Sequence, residues 1–137
     1  MTRGLDCNNP FNLETSVKIT WVGEIKPTND PDGVLCTFDT PEHGLRAGFR
    51  DLVNQQALHG LNTWSEIITK YAPPTENNTL AYIKALVDAT GCAANQKLDL
   101  KDPQLLASAG EAVIVHEQGA NPYTSAQISQ GVQDALT

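Results

Sequence analysis

Basic residues are scarce in this sequence: nine Lys and Arg stand against sixteen Asp and Glu, for a formal net charge of −7. The few cations are scattered, which argues against a nucleic-acid partner, because neutralising phosphates needs clustered Lys and Arg. No apolar run is long enough to span a bilayer. The opening residues Met1 to Asp6 lack the apolar h-region of a secretory signal, so synthesis in a cytoplasm without a signal peptide is expected. Cysteine is limited to Cys7, Cys36 and Cys92. An odd number at wide spacing fits neither a disulfide framework nor a zinc pattern, and free, partly buried thiols are expected. His43, His59 and His116 show no metal-ligand spacing. Asp30-Pro31-Asp32-Gly33 begins like a calcium loop, but Pro41 stands where such a loop needs its final Glu. Nucleophile elbows, phosphate-cradling loops and informative Cys–His pairs are also missing. Neither a metal nor a cofactor is therefore expected.

What remains is a 137-residue chain of single-domain length. Val17 to Val22 alternates and carries β-branched residues, so it predicts a strand. Asn29 to Gly33 reads as a turn and Val34 to Phe38 as a second strand, together a small antiparallel hairpin with a long loop. From position 40 onward the signals are helical. Thr40-Pro41-Glu42 opens a helix carrying Leu45, Phe49, Leu52 and Val53 up to Gly60. Thr63-Trp64-Ser65-Glu66 is a capping box before a short helix that Pro73-Pro74 stops. A further helix starts at Asn77 or Asn78, buries Leu80, Ile83 and Val87, and ends at Gly91. Residues 92–102 read as a polar connector. Asp102-Pro103 caps a helix with Leu105, Leu106, Ala109, Val113 and Ile114 on its apolar side and Gly119 as its stop. Thr124 to Gln127 is a second capping box, with Tyr123 and Ile128 at staple positions. The expected fold class is α+β, mostly α, with about five helices and a small N-terminal antiparallel β-hairpin.

The sharpest chemical candidate is Glu117, a carboxylate at the end of an apolar helix just before its glycine stop. The negative end of the helix dipole and an apolar wall both disfavour its charged form, as a general acid requires. The bland alternative is a solvated Glu at a frayed helix end. A second candidate is the segment Cys7 to Leu13. Its three asparagines offer paired donors and acceptors for sugar hydroxyl and acetamido groups, or else bond their own backbone in a turn. The third is Ala72 to Thr79, where Glu76 is either a functional carboxylate or a residue near a helix start.

The order of these pieces resembles a family of small phage and prophage virion proteins. Such proteins commonly open Arg-Gly-Ile-Arg-Asn-Asn-Asn-Pro-Gly-Asn-Ile, and here the stretch is Arg3-Gly4-Leu5-Asp6-Cys7-Asn8-Asn9-Pro10-Phe11-Asn12-Leu13. The likeness continues through Trp21-x-Gly23, Phe38-Asp39-x-Pro41-Glu42-x-Gly44-x-Arg46-Ala47 and Gly60-Leu61-Asn62-Thr63. It then takes in Ala72-Pro73-Pro74-x-Glu76-Asn77-Asn78-Thr79-x-x-Tyr82 and His116-Glu117-x-Gly119-x-x-Pro122-Tyr123. Phe11 in place of Gly, and Asp6-Cys7 in place of Arg and Asn, depart from the pattern. The resemblance implies a lysozyme-like domain over residues 1–137. Peptidoglycan glucosaminidases and transglycosylases place a catalytic Glu in Glu-Ser-Gly at a helix end, with an Asn-rich segment following. Here the Asn-rich segment comes first, the order a circular permutation would give. The resemblance makes Glu117 the catalytic residue and promotes Asn8, Asn9, Asn12, Glu76, Asn78, Tyr82 and Tyr123 as substrate-binding residues. Core or capping roles remain open for Asn78, Tyr82 and Tyr123.

Three functions are compatible with that resemblance. The first is a muramidase or lytic transglycosylase acting on peptidoglycan glycan strands, with Glu117 as acid and Glu76 or Glu14 as a possible second carboxylate. The second is a non-catalytic virion structural or glycan-binding protein that keeps the fold and contacts other virion proteins, which the acidic composition suits. The third is a regulatory or inhibitory protein of phage origin inside the host. All three place synthesis in the host bacterial cytoplasm. The first two place the product in the virion or at the cell wall.

Overall fold

A computed structural model describes residues 1–73 and 78–137. Five helices of eight residues or more, one single-turn helix and a two-stranded sheet make up the regular structure among these residues, an α+β arrangement that is mostly α. The elements are α1 (Arg3–Asp6), β1 (Glu24–Ile25), β2 (Thr37–Phe38), α2 (Pro41–Ala57), α3 (Trp64–Tyr71), α4 (Thr79–Thr90), α5 (Pro103–Gln118) and α6 (Ser125–Leu136). None of the described helices is long and apolar enough to cross a membrane.

The helix boundaries follow from their caps. Thr40, Thr63, Asn78, Asp102 and Thr124 each accept a backbone N–H from the first turn of the helix they precede. Thr124 and Gln127 complete the reciprocal capping box. Glu66 departs from that scheme: its carboxylate accepts from the Asn62 backbone N–H, one residue further back than expected. Gly91 and Gly119 take the left-handed conformation that ends α4 and α5. No basic residue occupies the last turn of α6, and Arg50 from α2 donates to its Ala135 carbonyl instead, at 3.0 Å.

The core lies between the helices. Helix α2 packs mainly on α6, and α4 on α5 and α3. Leu45, Phe49, Leu52, Trp64, Ile67, Leu86, Leu106 and Ile114 are fully buried in one cluster. Each such side chain contributes about 1.5–3 kcal/mol on burial. The Trp64 indole, also buried, donates to the Thr90 hydroxyl at 3.0 Å, so its polar atom is satisfied.

Three local expectations are corrected. Val17 to Val22 is not a strand: Val17 is fully exposed and Val22 half exposed. The Lys26 ammonium donates to the Ser16 and Ile19 carbonyls and to the Thr20 hydroxyl, curling the segment around a cation in place of a sheet ladder. The sheet is instead β1 paired antiparallel with β2, Glu24 opposite Phe38 and Ile25 opposite Thr37, with an isolated bridge from Glu14 to Leu35. In α4 the buried residues are Thr79, Tyr82 and Leu86, while Leu80 is 80% exposed. Ile83 and Val87 flank the core, so the inward face is turned by one position from the expected one. Within 92–102, Leu98 and Leu100 are buried, and Gln56 bonds the Leu98 carbonyl and the Leu100 N–H. The connector is therefore stitched onto α2 by a side-chain amide that imitates a neighbouring strand.

The turn around Asp30 matches expectation and gains a role. Asp30 accepts from the backbone N–H groups of Asp32, Val34 and Leu35, and from Arg3 through both carboxylate oxygens. Those donors, Arg3 foremost, hold its carboxyl well below the usual carboxylate range. The hairpin loop and α1 are thereby tied together.

Candidate active site

Glu117 sits in the last turn of α5, half-buried, one residue before the buried Gln118. Its two oxygens have separate partners. Asn12 donates to Oε1 at 3.0 Å, from 105 positions away in sequence, and the Tyr82 hydroxyl donates to Oε2 at 2.9 Å. This is a correction to the expected isolated carboxyl on an apolar wall: polar donors from α4 and the N-terminal segment close around it.

Tyr82 is buried, and its ring stacks on that of His116 with centroids 3.8 Å apart and 24° between planes. Burial, then the charge of Glu117 and the hydrogen bond to it, push the phenol far above its ordinary value. Tyr82 thus stays a protonated donor throughout the physiological range. It orients the carboxyl group and does not compete with it as an acid. His116, exposed, also borders a groove of about 530 Å³ between α4 and α5 whose lining includes Asp88 and Glu111 but not Glu117.

The N-terminal segment owes its shape to backbone conformation. Asn8 and Asn12 have φ of 52° and 54°, left-handed values that Asn tolerates better than most residues. Asn8 donates to the Phe38 carbonyl. Asn9 is fully buried; it donates to the carbonyls of Leu13 and Cys36 and accepts from the Leu13 N–H. Both its amide hydrogens and its oxygen are engaged in holding the segment against the hairpin. Of the three asparagines, Asn12 is the one that reaches Glu117. Phe11 is buried and meets Phe49 edge to face at 5.5 Å, so the departure from the family's glycine anchors the segment in the core.

Gln118 is the residue that sequence reasoning missed. Its amide nitrogen donates to the Pro10 carbonyl and to Asn12 Oδ1, both at 2.9 Å, while its oxygen accepts from the Thr2 hydroxyl. It fixes the Asn12 side chain with the oxygen turned to Gln118 and the nitrogen turned to Glu117. A signal was present: Gln118 follows Ile114 by four residues on the inward face of α5, and a buried amide there must find partners.

The remaining candidates are dispersed. Asn78 caps α4 and is exposed. Tyr123 packs half-buried beside the core, its phenol pushed up to about 12 by burial and then by the charge of Glu42. Glu14 is exposed on the bridge to Leu35. Glu76 lies outside the described residues. The site the structure assembles is Glu117 with Asn12 and Tyr82 as its donors, and Gln118 and His116 behind them.

No protein-family model matches the chain. It is 38% identical over 133 residues to "Protein P5" of Pseudoalteromonas phage PM2, an alignment covering 96% of this chain and 80% of that protein. Identity of that extent spans both the Asn-rich segment and the Glu117 helix, and the chain belongs to the bacteriophage family of protein P5.

Proposed function

We propose that the protein cleaves the glycan backbone of peptidoglycan, as a muramidase or lytic transglycosylase, with Glu117 as general acid. The observation that carries this reading is the clasp on Glu117: a half-buried carboxyl at a helix end, aimed by Asn12 and Tyr82. Glu117 in its acid form would deliver its proton to the oxygen between MurNAc and GlcNAc as that bond breaks, and the anomeric carbon would bond to water in hydrolysis or to the sugar's own 6-hydroxyl in transglycosylation. Asn12 and Tyr82 hold the carboxyl group in one orientation, the pre-organisation a proton transfer needs. In this reading the helices and small sheet are a lysozyme-like domain in permuted order, with the Asn-rich segment ahead of the acid. The protein would act at the bacterial cell wall, as a virion component or as a free lysin.

One observation favours the alternative of a non-catalytic virion or glycan-binding protein. Both Glu117 oxygens are already engaged within the protein, as in a purely structural clasp. Digestion of purified peptidoglycan by wild type and Glu117→Gln, with products read by mass spectrometry, separates the two. Products ending in reducing sugars or in 1,6-anhydro sugars, lost in Glu117→Gln, are expected. An intact sacculus after treatment with folded wild type would leave the structural reading.

A further inference from the structure

The start of α2 carries a side-chain pair that the clasp on Glu117 does not use. The His43 ring, in the first turn, meets Asp39 with Nδ1 2.6 Å from Oδ1. That hydrogen bond is the chief cause holding the Asp39 carboxyl below its ordinary value. An ionised carboxylate only accepts, so Nδ1 carries the proton and Nε2 of the neutral ring is left as an acceptor. Both side chains are partly exposed, 37% for His43 and 48% for Asp39. Among the described residues, neither His43 Nε2 nor Asp39 Oδ2 has a hydrogen-bond partner. The pair is not the helix cap, because Thr40 performs that task by accepting from the His43 N–H.

The turn before β1 lies against this pair. Gly23 has φ of 79°, and a Cβ there would run into the His43 ring and stand 2.7 Å from Asp39 Oδ1. The Gly23 carbonyl accepts from the Asp39 N–H at 2.9 Å. Trp21 belongs to the same turn: its N–H donates to the Glu24 carboxylate and its carbonyl accepts from the Glu24 N–H, both at 3.0 Å. Its indole packs half-buried on Cys36, Phe38 and Ala47, so part of the ring stays open to solvent. The N-terminal segment touches both places. Asn8 donates to the Phe38 carbonyl, one residue before Asp39, and Asn12 donates to Glu117, each at 3.0 Å.

We propose that Trp21, Asp39 and His43 form a sugar-binding subsite for the GlcNAc units of the glycan strand. Trp21 offers an apolar face to the C–H side of a pyranose ring, and His43 Nε2 and Asp39 Oδ2 accept from its hydroxyls. Asp39 and the Gly23 backbone already fix the imidazole, so little freedom is lost on binding. The negative charge of Asp39 favours GlcNAc, which is uncharged, over MurNAc with its lactyl carboxylate or peptide. The inference rests on peptidoglycan glycan as the ligand, and it holds whether or not Glu117 cleaves that glycan.

The test is an NMR titration of Glu117→Gln with glycan strands freed of their peptides by an amidase, while wild type digests the same strands in parallel. The Trp21 indole N–H and the His43 ring resonances should shift, while the buried Trp64 indole, bonded to Thr90, stays still. Adding Trp21→Ala or His43→Ala should weaken binding about 5- to 10-fold, and His43→Gln, which keeps an acceptor, should recover part of the loss. Thermal melts separate a lost contact from a lost fold, and the shifts themselves need no substitution at the subsite. Strands that wild type cleaves, but that leave Trp21 and His43 unmoved, overturn the subsite and leave Glu117 as the acid. Shifts at both residues without cleavage by wild type keep the subsite and overturn the catalytic reading. Neither shifts nor cleavage overturns both.

Discussion

Gly44 gives the sharpest handle on how the site is assembled. It lies in the first turns of α2, and a Cβ built there would stand 1.7 Å from the Asn8 carbonyl oxygen and 3.2 Å from Pro10 Cδ. The neighbour is main chain, so no side-chain rotation relieves the clash. The Asn8 carbonyl must retreat by about 1.7 Å to reach ordinary contact, which is far beyond what a packed interior absorbs. A hydrogen bond of 3.0 Å does not survive displacement on that scale, so Asn12 leaves Glu117. Three terms set the outcome for Gly44→Ala. Helix propensity gains about 1 kcal/mol. Overpacking costs about 1–3 kcal/mol, and a lost hydrogen bond to a charged group about 1.5–3 kcal/mol. The net loss is about 1.5–5 kcal/mol, or a fall in Tm of roughly 5–20 °C for a domain of this size. Calorimetry gives the Tm, and the side-chain amide resonance of Asn12 reports the clasp. A Tm that rises by a few degrees with that resonance unmoved would refute the reasoning, since helix propensity alone then decides.

Two further outcomes follow from the same geometry. Tyr82→Phe keeps the ring and its stack on His116 but removes the donor to Glu117 Oε2; kcat on peptidoglycan should fall about 10- to 100-fold with the fold intact, and unchanged kcat would remove Tyr82 from the site. Asp30 has a depressed folded-state carboxyl, so its contribution to stability is full above the unfolded value near 4 and drains away as pH falls further. Urea midpoints of wild type should therefore drop more steeply below about pH 4 than those of Asp30→Asn, and parallel curves would show that the bond to Arg3 carries no stability.

The parts of the fold that were legible in the sequence are those fixed by local chemistry. Thr40-Pro41, Asp102-Pro103 and the Thr124–Gln127 box start helices where they stand, because a cap is satisfied within three residues. Gly91 and Gly119 end helices for an equally local reason. Where a distant partner decides, the sequence was silent. The Ser16 and Ile19 carbonyls and the Thr20 hydroxyl were claimed by Lys26, so β-branched residues there found no ladder. Leu80 yielded the interior to Tyr82 because the inward face of α4 is set by α3 and α5. The same division holds at the site. Glu117 and Asn12 carried visible signals, a helix stop and an Asn-rich turn. Gln118 carried only the signal of an amide on the inward face of α5, and its partners, Thr2, Pro10 and Asn12, are ones that only folding brings near.

The clasp has a bearing on the order in which the protein assembles. Helices α4 and α5 follow one another along the chain, and the contact of Tyr82 with Glu117 spans 35 positions, so it closes a smaller loop than the bond to Asn12. The bond from Asn12 to Glu117 spans 105 positions and must wait for the bundle that supports it. The N-terminal segment is therefore expected to dock late, Phe11 completing the core as it does so. Native-state hydrogen exchange should then find it in a unit of lower stability than the helices, and equal protection would contradict that order. A refolding chain is expected to bring Glu117 to Tyr82 before Asn12 docks on it.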